Sequence, residues 1–147
     1  MGSTVKSQKS NIWAPISDIA NMVETGTETA LSQVNKALER IEALDPEYRV
    51  VISICRDRAI ERAKTIDAII KNGKSAGRLA GVPFIAKDNF LVFGAETTAG
   101  SNILKGFTAP YQSSAIEKLE SEGAICVAKA NLDAFAHGSS TENSDFF

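Results

Sequence analysis

A lysine at the end of an apolar run is the feature of this sequence that most clearly suggests chemistry. Lys87 follows the run 82–86 and is followed directly by Asp88. Burial disfavours the charged form of lysine, so a lysine in such a place is either neutral, and able to act as a base, or paired with a carboxylate. Lys87 is therefore a candidate general base, and an ion pair with Asp88 is the structural alternative.

A second candidate site is a block of small polar residues near the end of the sequence. The serine block, residues 138–144, reads Gly-Ser-Ser-Thr-Glu-Asn-Ser and follows His137, the only histidine. Such a composition is typical of a turn, and the block could also hold a nucleophilic serine. Both interpretations stay open on the residues alone.

Two charged residues between these sites are interpreted as structural. Lys129 and Asp133 follow the apolar run 124–128, and Asn131 between them could cap a short helix reaching Ala136. A carboxylate at a helix start meets the positive end of the helix dipole. The sequence therefore predicts that Asp133 stabilises the start of a short helix.

The cysteines and the histidine give no sign of a metal site. Cys55 and Cys126 lie in apolar runs without CxxC spacing, and one histidine is too few for a His-based site. We expect both cysteines to be buried, reduced thiols and the chain to bind no metal.

The elements that must position these residues follow from hydrophobic periodicity. Helices are predicted over residues 15–23, 28–44 (ended by Asp45 and Pro46), 56–72 (capped by Gly73) and 113–122. The last helix should bury the face formed by Ala115, Ile116 and Leu119. A strand is predicted within 48–55, and the apolar runs 82–86 and 124–128 are typical of strands covered on both faces in a mainly parallel sheet. The loop and helix between these two runs predict a crossover connection. The long loop 89–112 between them is expected to serve a site.

Composition and charge fit one globular domain. The chain has 147 residues, 44% of them hydrophobic, and a net charge of −2. Such a charge argues against a nucleic-acid clamp, since that kind of binding depends on neutralising phosphates. Nothing resembles a signal peptide or a membrane span, so we expect a cytoplasmic protein without membrane contact.

Several blocks, in the same order, resemble the amidase signature family. They are 81–89 (Gly-Val-Pro-Phe-Ile-Ala-Lys-Asp-Asn), 96–104, 115–119 with 122–124, and 128–136. The serine block is more selective, because it resembles the A subunits of tRNA-dependent amidotransferases within that family. Two departures are His137, where methionine is expected, and Ala99, where cysteine is common.

The resemblance implies a fold and a domain plan. The fold class is α/β: an amidase-signature-like mixed sheet flanked by helices, forming the N-terminal part of a larger domain. Residues 1–12 would be a polar leader and 13–147 the N-terminal portion of the amidase-signature domain. That portion divides into a helical part, 13–73, and an α/β part with the catalytic lysine, 81–147.

The resemblance also implies roles for site residues. Lys87 would be the neutral base of a Ser-cisSer-Lys triad, as in the family. The family carries both triad serines in later blocks, so they are absent from this chain and the serine block does not supply them. The residues implied to lie beside the substrate pocket are His137, Gly138, Ser139 and Ser140.

The implied function is that of an amidotransferase A subunit. Such an enzyme hydrolyses glutamine and passes ammonia to a B subunit, which amidates mischarged Glu-tRNA(Gln) or Asp-tRNA(Asn). Its partners would be the B and C subunits, glutamine, and tRNA through the B subunit. The complete complex uses ATP and Mg, with no cofactor in this chain, and we expect the chain alone to be inactive and poorly soluble. The alternatives are another amidase signature hydrolase and a non-catalytic module that binds a partner.

Overall fold

The computed structural model of the protein describes residues 14–146, so the predicted leader, 1–12, lies outside it. Its elements in chain order are α1 Ile16–Glu24, α2 Ala30–Tyr48, β1 Val51–Ile54, α3 Arg56–Lys71, β2 Pro83–Lys87, α4 Ser114–Ser121 and β3 Ile125–Ala130. Short 3-10 turns span Asn102–Leu104 and Ala134–Ala136. In the described part of the chain, no helix has both the length and the apolar character needed to cross a membrane.

The three strands form one mixed sheet in the order β1-β3-β2. β1 runs antiparallel to β3, with Ile54 opposite Ala128. β2 runs parallel to β3, with Lys87 opposite Ala130. A parallel pair needs a long crossover connection, and here that connection is the loop after β2 followed by α4. The predicted α/β class and mixed sheet are confirmed.

Helices cover both faces of the central strand β3. The larger core packs α2 and α3 on one face, with Ala59, Ala63 and Ile66 at helical spacing against Ile125. On the other face Cys126 packs with residues of α4, β2 and the long loop. Adjacent residues of a strand point to opposite faces, which is why Ile125 and Cys126 join different cores.

The prediction that both parallel strands are covered on both faces holds for β3 and is wrong for β2. The first five residues of β3 are buried, whereas Phe84 in β2 is half-buried and Ile85 is 42% exposed. The reason lies in the strand order, because β2 is an edge strand of the described sheet. An apolar groove beside it is lined by Ile85, Pro83 and residues of α1 and α2.

Helix α2 continues past its predicted end. Pro46 lies inside the last turn and the helix ends at Tyr48. Proline there removes a single hydrogen bond, so the helix is not broken at once. Arg49 then takes a left-handed conformation, with φ 51°, and donates its N–H to the Asp45 carbonyl at 2.7 Å. The Asp45 carboxylate accepts from the Val50 N–H at 2.8 Å and so caps the turn.

The buried face of α4 differs from the predicted one. Ile116 is buried as expected, but Ala115 is exposed, Leu119 is 38% exposed, and Glu120 is buried instead. Arg58 donates to both Glu120 carboxylate oxygens, at 2.6 and 2.7 Å, and Gln112 donates at 2.7 Å. Burial opposes ionisation, but these hydrogen bonds hold the pKa of Glu120 below its usual value. A charged partner from α3 therefore decided which face is buried.

Both cysteines are buried free thiols, as predicted. Cys126 lies in β3, and Cys55 follows β1 and donates its N–H to the Val127 carbonyl at 2.9 Å. A hydrogen bond between the two thiols raises the pKa of Cys126, and burial raises it further. A thiol with a raised pKa is a poor nucleophile, which fits a packing role for Cys126.

Candidate functional site

The candidate residues gather where the parallel strands β2 and β3 end. Ala86 lies opposite Lys129, and Lys87 lies opposite Ala130. Because parallel strands share one carboxyl edge, the chain after Lys87 and the chain after Ala130 leave the sheet side by side. In open α/β sheets this edge is where ligands bind.

Lys129 and Asp88 form a buried ion pair at this edge. Both side chains are 0% exposed, and Lys129 Nζ lies 2.7 Å from Asp88 Oδ1. The same Nζ also donates to the Glu96 carbonyl at 3.2 Å and to Thr97 Oγ1 at 3.1 Å. All three ammonium protons therefore have acceptors, which a buried charge needs.

Asp88 uses its remaining polar groups to hold the long loop. Its Oδ2 accepts from the Thr98 N–H at 2.7 Å and from Thr98 Oγ1 at 2.6 Å. Its own N–H donates to the Ala130 carbonyl at 2.9 Å, and its carbonyl accepts from the Ala99 N–H at 3.2 Å. Hydrogen bonds with Asp88 and Lys129 thus hold the segment 96–99 over the ends of both strands.

Lys87 is exposed, whereas the next residue, Asp88, is buried. The suggested Lys87–Asp88 ion pair is wrong, because the Asp88 carboxylate is already occupied by Lys129 and Thr98. Among the described residues no carboxylate lies within ion-pair distance of Lys87. The desolvation that a neutral lysine base requires is not provided by this part of the chain, and the catalytic role of Lys87 stays a prediction.

Asp133 organises the serine block. It is 5% exposed, and its carboxylate accepts from the Asn143 N–H at 2.9 Å and from the Thr141 N–H at 3.0 Å. These hydrogen bonds, first Asn143 and then Thr141, lower the pKa of Asp133, and the charge of Lys87 lowers it further. The charge of Lys87 therefore acts on the carboxylate that holds the serine block.

The predicted helix-start roles of Asn131 and Asp133 are wrong. Only a 3-10 turn, Ala134–Ala136, follows them, and Asp133 makes no cap hydrogen bond to it. Asn131 Oδ1 instead accepts from the Leu132 N–H at 2.8 Å and from Ser144 Oγ at 2.7 Å. Both side chains bind the returning serine block, a contact that local helix signals do not reveal.

Four residues are implied to line the substrate pocket: His137, Gly138, Ser139 and Ser140. All four are exposed. Ser140 Oγ donates to Glu142 at 2.7 Å. A methyl group on Gly138 would lie 2.4 Å from Asp133 Oδ2, so only glycine permits this approach. The contact of these four residues with a substrate stays a prediction.

A second close approach joins the long loop to the chain after β3. Gly100 has φ +72°, and a Cβ on it would lie 2.5 Å from the Leu132 carbonyl. The Gly100 carbonyl accepts from the Asp145 N–H at 3.0 Å. Asp145 Oδ2 in turn accepts from the Asn102 N–H at 2.7 Å. The sequence assigned no role to Asp145, Thr97 or Thr98, although Thr97 and Thr98 lie in the family-like block 96–104.

The chain is similar in sequence to known proteins. The sequence profile described as Amidase matches residues 32–147. The A subunit of the glutamyl-tRNA(Gln) amidotransferase from Nostoc punctiforme is 43% identical over 133 residues, which cover 90% of this chain and 27% of that protein. A second A subunit of this kind, from Clostridium acetobutylicum, is 44% identical over 113 residues, which cover 77% of this chain and 24% of that protein. The chain thus spans about a quarter of the length of the curated relatives it matches.

Solved structures agree with the sequence matches. A chain of a vestigial protein complex, described as revealing the evolutionary origins of an s-triazine catabolic enzyme, superposes with a TM-score of 0.86 at 28% identity, over 90% of this chain and 29% of that one. The peptide amidase of Stenotrophomonas maltophilia superposes with a TM-score of 0.79 at 31% identity, over 84% and 26%.

Proposed function

The chain belongs to the amidase family, and on that premise we propose that it supplies the lysine base of an amidotransferase A subunit. The observation that carries the proposal is its 40–48% identity to eight glutamyl-tRNA(Gln) amidotransferase A subunits. These matches confirm the resemblance predicted from the ordered blocks. The proposed reaction is hydrolysis of glutamine to glutamate, with the ammonia used to amidate mischarged Glu-tRNA(Gln) or Asp-tRNA(Asn).

In this reaction Lys87 would accept a proton from a serine hydroxyl through a second serine. The nucleophilic oxygen then forms an ester bond with the glutamine acyl group, and the amide nitrogen leaves as ammonia after receiving a proton. Water hydrolyses the ester to release glutamate and regenerate the serine. The serines would come from polypeptide outside this sequence, which would also cover Lys87 and remove it from water.

Partners follow from the same proposal. The complete complex would contain B and C subunits in the cytoplasm and would use ATP and Mg when the aminoacyl-tRNA is amidated. This chain has a net charge of −2, which supports contact with tRNA through the B subunit, because tRNA binding depends on basic surface.

A chimera tests the role of Lys87. This chain replaces the matching region of the Nostoc punctiforme protein, and ammonia release from glutamine is measured with the partner subunits present. We expect Lys87→Ala to lower turnover by about 10²- to 10⁴-fold, the range for loss of a general base. Lys64→Ala, an exposed lysine on α3, is the matched control and should change turnover less than about twofold. Equal activity of the two variants would refute the proposal.

The isolated chain offers a complementary test. It holds the proposed base without the family's two serines, so we expect no release of ammonia from glutamine. Release above the level of the isolated Lys87→Ala chain would contradict this expectation.

A second candidate function is hydrolysis of another amide. The 31% identity to a peptide amidase favours it, although the amidotransferase relatives are more similar. The two functions differ in substrate, so the complete enzyme containing this chain should be assayed with glutamine and with a peptide amide. Preference for glutamine supports the amidotransferase, and preference for the peptide amide supports the second function.

A further inference from the structure

Beside the candidate base lies a buried ion pair that the proposed reaction does not use. We propose that Asp88 and Lys129 are positioning residues for Lys87, an inference that rests on the proposed function. Both side chains are completely buried, so neither is available to a substrate. They would act through the backbone and through the loop that they hold.

The ion pair anchors the backbone beside Lys87. Asp88 directly follows Lys87, and its N–H donates to the carbonyl of Ala130, the residue opposite Lys87 in β3. Successive side chains of an extended segment point to opposite sides. Ala86 lies opposite Lys129 on one side of the sheet, so Lys87, the next residue of β2, is directed to the other side, and the ion pair anchors the residue that directly follows it.

The ion pair also holds the loop. The Asp88 carboxylate accepts from both the N–H and the hydroxyl of Thr98, and the Asp88 carbonyl accepts from the Ala99 N–H. Ala99 has φ +51°, an uncommon conformation for alanine, and its carbonyl accepts from the Phe135 N–H at 2.8 Å. Phe135 lies in the turn just before the serine block. One aspartate thus connects the backbone of Lys87 to the segment that leads into the block.

A charged pair suits this task better than apolar side chains would. A buried ion pair often contributes little net stability compared with apolar side chains of similar size. It does require particular directions, because Lys129 has three acceptors and Asp88 Oδ2 has two donors, all from the loop or the strand ends. A pair of this kind suits a site in which a lysine amine must be held in one place relative to a serine.

The experiment measures kcat and KM for glutamine in the chimera, per mole of folded enzyme. We expect Asp88→Asn to lower kcat about 10- to 100-fold at unchanged KM, the effect of a small displacement of a reacting group. Thr98→Val, which removes one hydrogen bond to Asp88 and keeps the side-chain shape, should lower kcat less, by about 3- to 10-fold. This variant serves if Asp88→Asn does not fold.

Asp67→Asn is the matched control. Asp67 is also a carboxylate that accepts from two backbone N–H groups, those of Ala30 at 2.7 Å and Leu31 at 3.2 Å, but these groups lie at the start of α2. The substitution should lower the melting temperature and leave kcat per folded molecule unchanged. A kcat for Thr98→Val and Asp88→Asn equal to that of Asp67→Asn, with Lys87→Ala inactive, overturns the positioning role alone. Turnover that survives Lys87→Ala overturns both the positioning role and the proposed function.

Discussion

Two lysines at neighbouring register positions of the parallel strands have opposite surroundings. Lys129 lies opposite Ala86 and is 0% exposed, whereas Lys87 is one position further along β2 and is exposed. Asp88 and two loop oxygens surround the ammonium of Lys129. The described residues offer Lys87 no carboxylate within ion-pair distance. The comparison shows that the side of the sheet decides whether a lysine is buried, because only one side faces the folded loop.

The difference also separates two uses of lysine. The buried lysine is fully paired with acceptors from the strand ends and the loop, which suits positioning. The exposed lysine has no ion-pair partner within the described residues, which agrees with its proposed role as a base. Burial next to a carboxylate, which the sequence suggested for Lys87, is therefore a property of Lys129.

The largest expected effect is the difference in stability between variants of the two lysines. Lys129→Ala should lower the free energy of unfolding by about 3–5 kcal/mol, because it leaves the Asp88 carboxylate buried and unpaired. Lys87→Ala should change it by no more than about 0.5 kcal/mol, as for most surface substitutions. Urea unfolding of the two variants followed by circular dichroism measures both values. Equal losses would show that the two lysines do not differ as described.

Neutralising the whole pair should recover part of that loss. Lys129→Met combined with Asp88→Asn removes both charges, so no buried charge lacks a partner. We expect the stability loss of the double variant to be smaller than the sum of the losses of the two single variants by about 0.5–3 kcal/mol, the usual range for coupled contacts. A double-mutant cycle by urea unfolding gives the coupling energy, and a value near zero would contradict the contact between the two side chains.

The loop that supplies acceptors to Lys129 can be tested at its glycines. Gly100→Ala should cost about 1–3 kcal/mol, because it combines a positive φ with a Cβ 2.5 Å from the Leu132 carbonyl. Gly106→Ala is the control, since Gly106 has φ +84° but no atom within 4 Å of its Cβ position. It should cost only about 1 kcal/mol. Thermal unfolding of both variants is the measurement, and a larger loss for Gly106→Ala would contradict the close approach.

The smallest expected effect is the response of the serine block to low pH. Hydrogen bonds from Asn143 and Thr141 lower the pKa of folded Asp133 below the unfolded value of about 3.9. Its stabilisation is therefore present above about pH 4 and is lost as the pH falls through the lowered pKa. Exchange of the Asn143 and Thr141 amide hydrogens should accelerate over this window in the wild-type chain.

Asp133→Asn is the control for the acid response. It removes the titrating group, so exchange of the two amides should be fast already at neutral pH, once corrected for the intrinsic pH dependence of exchange. If the wild-type amides remain equally protected at about pH 2 and about pH 6 after the same correction, the carboxylate does not hold the serine block.

Much of the local structure was predictable. Helices α1 and α3 follow apolar spacing, and the glycine after α3 takes the expected left-handed conformation with φ +69°. The parallel pairing of β2 and β3 followed from two apolar runs joined by a loop and a helix. The resemblance carried by the ordered blocks gave the family, which the matches confirmed.

The errors involve contacts distant in sequence. The sequence offers the adjacent Lys87 as an alternative partner for Asp88, but the partner in the structure is Lys129, 41 residues away. Leu119 was expected inside, but Arg58 brought Glu120 into the core from 62 residues away. Strand β2 is less covered than its apolar composition predicts. Composition alone does not tell which elements pack beside a strand.

The amino-acid order alone determined the helices, the strands and the family, because periodicity, turn residues and ordered blocks are properties of short segments. Folding decided which lysine is buried, which carboxylate it meets and which loop closes over the strand ends. Those outcomes depend on the desolvation of charges, and a charge can be buried only where the assembled chain supplies partners from distant segments.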